Sequence, residues 1–245
     1  MFRKRLLFIA LTILLLISLS GCLSIGGGGT TRGNGRMTDG SFSYEGSITR
    51  ITVSNMGATI NISSEQSDEV RYTIDENLVD LLEITYQNGV LRITTRNNRS
   101  ITSDGLVFHI GADRLEGILI EGAAEIRGTG TFTAETFDLE LNGAGSAELA
   151  LSAQSVSMEI NGAGDISLSG QTEALRLRIA GAGSIYARNL IAQHASVTLE
   201  GVGSIQVYAE QTLDASVEGV GSVTYWGDPE LTSSAAGLAT VRRGS

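Results

Sequence analysis

The chain has 245 residues, 42% of them hydrophobic, which allows one large domain or two small ones with a substantial core. Glycine is abundant at 31 residues, about twice its usual share of roughly 7%, yet there is a single proline, Pro229; this excludes a disordered Gly/Pro-rich chain and suits a fold with many tight turns. The formal charge is −10 with acids scattered along the chain, so a nucleic-acid partner is excluded for want of a basic surface.

The chain opens with "MFRKR", a positive stretch, then "LLFIALTILLLISL", 14 apolar residues that are too few for a membrane span. "LSGC", Leu19 to Cys22, follows. It resembles a bacterial lipobox, which implies cleavage after residue 21 and a lipid on Cys22 that anchors the chain to a membrane. Leu23 after the cysteine favours the outer membrane in a cell with two. An ordinary signal peptide or an uncleaved anchor is the alternative, and all three place the rest of the chain outside the cytoplasm. Cys22 is the only cysteine, so no intramolecular disulfide can form. Residues 1–21 carry Arg3, Lys4 and Arg5 and no acid, so the remainder has a charge of −10 − 3 = −13 and no lysine.

"LSIGGGGTTRGNG", 23–35, has almost nothing to bury and reads as a flexible tether, with residues 22–40 linking lipid to domain. From 41 the pattern changes. "ITRITVSNMGATINISSE" and "LLEITYQNGVLRITT" alternate apolar and polar residues as strands do, and Asn88-Gly89 is a turn signal between two of them. "ENLVDLL", 76–82, predicts a short helical turn. Beyond 113, every segment reads as a short strand between small-residue turns.

Those turns repeat. "LELNGAGSAEL", "MEINGAGDISL", "LRIAGAGSIYA", "VTLEGVGSIQV" and "ASVEGVGSVTY" place their first corner glycines at Gly143, Gly162, Gly181, Gly201 and Gly219, at intervals of 19, 19, 20 and 18 residues. The second glycines are Gly145, Gly164, Gly183, Gly203 and Gly221, and "ILIEGAAEIRG" is an imperfect earlier copy at Gly122. A helix-free period of 18–21 residues predicts a parallel β-helix with one coil per repeat, or a β-prism; propeller blades need about 40 residues or more. Before each turn, pairs such as Met158/Ile160 and Leu177/Ile179 sit two apart, and after it Ile166/Leu168 and Ile205/Val207 do the same, so they would stack as internal ladders. About 200 residues would supply roughly ten coils and a rod ~50 Å long at ~4.8 Å per coil. The glycines would serve corners that need positive φ and close approach, with Ala144, Ala163, Ala182, Val202 or Val220 between them pointing inward.

On "EINGAGDISL", "RIAGAGSIYA", "TLEGVGSIQV" and "SVEGVGSVTY", on the strand-like N-terminal half and on the closing "YWGDPELTSSAAGLATV", the chain resembles the autotransporter adhesin head domain family, or GIN domain, over about residues 41–245. The resemblance implies a right-handed parallel β-helix on the cell surface, often in lipoproteins, and adhesion or scaffolding by name. It supplies no catalytic residues.

Chemical motifs were weighed against this. "GAGSAE" lacks the third glycine of a dinucleotide fingerprint and precedes a strand instead of a helix. "GAGS" is not a nucleophile elbow, and the absence of lysine after residue 21 excludes a P-loop. Two histidines, His109 and His194, and no free cysteine make no zinc site. No cofactor is called for.

Two features stand out. Glu200 and Glu218 precede corner glycines in consecutive coils; they either point into water or form a weak divalent-cation site, for which two carboxylates are few. Asn142 and Asn161 occupy the same position and could form an amide ladder. Tyr225 and Trp226 follow the last full repeat, either closing the rod's end or stacking on a sugar. The reading is a non-catalytic, adhesin-like or scaffolding envelope lipoprotein that binds surface glycans or proteins. A polysaccharide lyase or hydrolase on the same fold, and an accessory or sensor subunit of an envelope complex, are the alternatives. A homo-oligomer stays open.

Overall fold

The computed structural model describes residues 29–245. The predicted leader, Cys22 and the first half of the predicted tether lie outside the described residues. The Gly-rich stretch joins the domain earlier than its composition implies. β1 (Thr31–Arg32) pairs with β7 (Ile101–Thr102), and β2 (Met37–Ser43) pairs antiparallel with β4 (Glu69–Asp75). What holds these few side chains is a carboxylate. Asp75 is 2% exposed and accepts hydrogen bonds from the Gly35 N–H and the Ser103 hydroxyl. Those bonds, the one from Ser103 first, hold its pKa below the ordinary carboxylate value.

The N-terminal part is mixed. β3 (Arg50–Ser63) runs through its centre and pairs in parallel with β8 (Val107–Gly111). A 3-10 turn at Glu76–Leu81 stands where the helical turn was expected and buries Leu78. β5 (Leu82–Gln87) and β6 (Val90–Thr95) form an antiparallel hairpin about Asn88-Gly89, both at positive φ (51° and 82°), the geometry that Asn-Gly favours. Tyr44 packs on Tyr86 with ring centroids 4.8 Å apart, and its hydroxyl donates to the Ser67 carbonyl, with the Gly111 carbonyl 3.2 Å away. Burial pushes its pKa up to about 12.

From Gly117 onward the chain winds. β9 (Gly117–Leu141), β10 (Ala144–Ile160), β11 (Ala163–Ile179), β12 (Ala182–Trp226) and β13 (Glu230–Arg243) stack in parallel, and β12 alone runs through two coils. The pairing continues around the corners, so the strands are long where short ones were expected. The stack order β13-β12-β11-β10-β9-β3-β8-β4-β2 is that of a parallel β-helix and not a β-prism. It has about 6 turns, not the roughly ten expected, because before residue 116 β3 supplies the parallel layer next to β9 while β2, β4 and the β5–β6 hairpin pair antiparallel.

The core is a set of ladders. Met158 lies on Leu177, Ile160 on Ile179 and Ile166 on Ile185, all at 0% exposure. Close packing of like on like excludes water along the whole axis and supplies the dominant stabilisation. Across the first coil, Arg50 makes a bidentate ion pair with Asp138, both bonds 2.8 Å, which joins β3 to β9.

The corner differs from expectation. Ala144, Ala163 and Ala182 are exposed, and Val202 and Val220 are 57% and 48% exposed. The in/out alternation passes through the corner unbroken: Leu141, Gly143, Gly145 and Ala147 share one face, so the residue between the glycines points outward. The glycines occupy the inward positions, and both expected reasons hold: Gly201 and Gly219 adopt positive φ (145° and 134°), and close approach governs the corner glycines that do not. A Cβ on Gly162 would be driven into the carbonyl oxygen of Gly143 in the coil below.

Candidate binding faces

The outward positions leading into the corner carry a continuous polar line. Asn142 donates to Glu140 at 2.7 Å, and Asn161 donates to the Asn142 carbonyl at 3.0 Å, which realises the amide ladder. Arg178, in the next coil, donates to Glu159 at 2.6 Å, to Asn161 at 3.3 Å and to Glu200 at 2.7 Å. Its hydrogen bond to Glu159, and then the nearby acids, raise its pKa above the ordinary arginine value. Glu200 is therefore already paired with a cation, and it does not face Glu218 as one of two bare carboxylates. Among the described residues no group of three or more His, Cys, Asp or Glu could hold a metal ion.

A groove of about 880 Å³ lies on another side of the rod. It crosses β9 through β12 and spans five successive chain passes, from Ala134 to Gln211. Its floor is amide and carboxylate: Gln154, Gln171, Glu173, Gln193, Glu210 and Gln211. Gln211 donates to Gln193 at 2.8 Å, Gln193 donates in turn to Glu210, and His194 Nδ1 lies 2.9 Å from the Thr212 hydroxyl. The in-register stacking places Gln154, Glu173 and Gln193 over one another, one per coil at about 4.8 Å, and Gln211 continues the line by its bond to Gln193, whereas Gln171 stacks between Ser152 and Ile191. Ile191, 44% exposed, is the large apolar residue of a lining that also includes Ala134 and Ala153. Sequence reading missed this face because Gln154, Glu173, Gln193 and Gln211 lie 19, 20 and 18 residues apart, with no local motif to join them; only the coil period, applied to polar positions, could have found them.

Tyr225 and Trp226 are not at the end of the rod, since β13 adds one more coil beyond them. Tyr225 is partly buried against the core. The Arg188 guanidinium lies 4.3 Å from the centre of the Trp226 ring, and Gly244 packs against the same indole. The ring is thus already stacked by a cation and approached by backbone, which leaves less of it for a stacked sugar. His109 sits apart from His194, on the outside of the N-terminal sheet beside Arg71.

Residues 48–229 match the family described as "Putative auto-transporter adhesin, head GIN domain". The chain belongs to that family. Solved structures carry the same fold. A "putative adhesin" from Bacteroides fragilis superposes with a TM-score of 0.80 at 23% identity, covering 86% of this chain and 99% of that one. A "putative lipid binding protein" from Parabacteroides distasonis gives 0.65 at 25%, covering 89% and 100%. A "putative adhesin" from Parabacteroides merdae gives 0.63 at 19%, covering 88% and 99%. No curated protein matches. Among the described residues of this GIN domain no helix is long and apolar enough to cross a membrane.

Proposed function

We propose that this GIN domain is a non-catalytic, adhesin-type binding module displayed outside the cytoplasm, and that it holds an extended polyhydroxylated chain, a glycan, along the amide-lined groove. The anchor in this reading is a lipid on Cys22. The observation that carries it is the groove's repetition. Amide and carboxylate groups recur once per coil along a shallow face, and a polymer with hydroxyls along its length can be met at each step. Glutamine supplies both a donor and an acceptor, so Gln154, Gln171, Gln193 and Gln211 can bond a hydroxyl in either sense. A chemical step would call for a positioned acid and base with tuned pKa values. The adhesin-type description of the family and of its solved relatives supports the non-catalytic reading.

The test is a panel of envelope and extracellular polysaccharides offered to the protein, with retention and released chain ends measured together. Retention without cleavage, reduced at least about tenfold by the pair Gln193→Ala and Gln211→Ala, is the expected result. Cleavage would overturn the non-catalytic reading. Retention indifferent to the two substitutions would remove the groove.

A further inference from the structure

The two ends of the stack are unlike. β2 closes one end with seven residues that include Asp39 and Gly40. β13 closes the other with 14, and among the described residues it pairs only with β12. Its outer edge therefore presents a long row of main-chain donors and acceptors. Natural edge strands are guarded by charges, prolines or bulges. From Leu231 to Val241 β13 has no charged residue and no proline, and its register with β12 is unbroken. The last rung of the core is uncovered as well. Leu231 stacks on Leu213 and Val241 on Val223, yet Leu231 is 38% exposed.

We infer that the β13 end binds the β13 end of a second copy, strand to strand and antiparallel, so that two rods join tail to tail. An antiparallel pair sets residues of like facing opposite one another. In β13 the odd positions continue the core ladder and the even ones face outward. A two-fold axis through Ala236 satisfies that parity. It sets Leu231 against Val241 of the second copy on the inner face and Glu230 against Arg242 on the outer face. The apolar pair then continues the core across the junction, and the acid meets the base twice by symmetry. Moving the axis to Gly237 would set Leu231 against Arg243 and leave Glu230 opposite Gly244, which loses both matches. Local charge permits the approach: residues 228–243 hold two acids, Asp228 and Glu230, and two bases, Arg242 and Arg243, a net of zero on a chain of −10. Arg243 is already tied to Asp228 and to the Gly227 carbonyl, whereas the partner of Arg242 is a single 3.5 Å bond to the Thr224 hydroxyl. Because β2 lies at the opposite end, an anchor on the N-terminal segment turns the β13 end away from its membrane. The contact then joins rods on two facing surfaces.

The test is sedimentation of the full chain in mild detergent between about 1 and 100 µM, as wild type, Glu230→Arg, Arg242→Glu and the double reversal. The expected result is a wild-type dimer, a dimer at least about tenfold weaker in each single variant, and recovery in the double, since only the double restores opposite charges. Unchanged far-ultraviolet circular dichroism establishes that these exposed substitutions leave the fold intact. A wild-type chain that stays monomeric at 100 µM would overturn the inference, as would a dimer that both single reversals leave untouched. A double reversal no better than the singles would exclude the antiparallel register. Glycan retention by the groove is read separately, so either proposal can fail without the other.

Discussion

The corner glycines make the sharpest prediction, because the same chemical change should have opposite signs at two sites. Replacing a glycine by alanine ordinarily stabilises a strand by about 0.4–1 kcal/mol, since the unfolded chain loses freedom. At Gly57, on β3, the nearest atom to an added Cβ is the Ala123 Cβ at 4.0 Å, so the methyl group meets only ordinary contact. Gly57→Ala should therefore be neutral or stabilising by up to ~1 kcal/mol. At Gly162 the added methyl group would enter the Gly143 carbonyl, with the Gly143 backbone nitrogen and carbon close behind. Neither is the flexible end of a side chain, so the two coils must part. Overpacking of a tight interior costs about 1–3 kcal/mol, and a coil held only by its neighbours has few other ways to relax. For a domain of this size that corresponds to a fall in Tm of about 2–12 °C. Equilibrium unfolding in guanidinium, followed by circular dichroism and by the fluorescence of Trp226, gives both values on one scale. Gly162→Ala as stable as wild type would refute the argument that close approach requires glycine at this corner position, where φ is not positive.

Three other outcomes follow from the structure. Leu177→Ala removes a fully buried rung between Met158 and Val197 and should cost about 2–5 kcal/mol by denaturant unfolding; a loss under 1 kcal/mol would mean the ladder can collapse around the gap. Asp75 has a depressed folded pKa, so its contribution is complete above its unfolded value of about 3.9 and fades as pH falls through the lower folded one. The stability difference between wild type and Asp75→Asn should thus be constant near neutrality and narrow in acid; a difference that instead widens in acid would contradict that sign. Millimolar calcium should leave Tm unchanged, because Glu200 is held by Arg178 and Glu218 stands alone as a ligand; a rise abolished by Glu218→Gln would revive the cation site.

Much of this protein is legible in one dimension. The period of 18–21 residues, the alternation within "MEINGAGDISL" and "VTLEGVGSIQV", and the Asn88-Gly89 signal determine the coils, their core ladders and the hairpin, because each depends on residues near in sequence. The outward facing of Ala144 and Val202 was legible as well, since counting by twos from Leu141 or Leu199 puts them on the outside; the idea of a special corner conformation displaced that count. The number of coils was not legible. A strand pattern in residues 41–112 fits a coil and an antiparallel hairpin equally, and only pairing partners far along the chain choose between them. Nor could local pattern show that β1 and β2 draw a glycine-rich segment into the domain, since the groups that hold it, Asp75 and Asn77 and the strands β4 and β7, lie far along the chain. The faces are tertiary products of the same kind. The Glu159–Arg178–Glu200 pairing and the glutamine groove each join residues one coil or more apart. Sequence alone determined that the chain would coil, through local alternation and period; only the stacking of coils decided which side chains met on the outside.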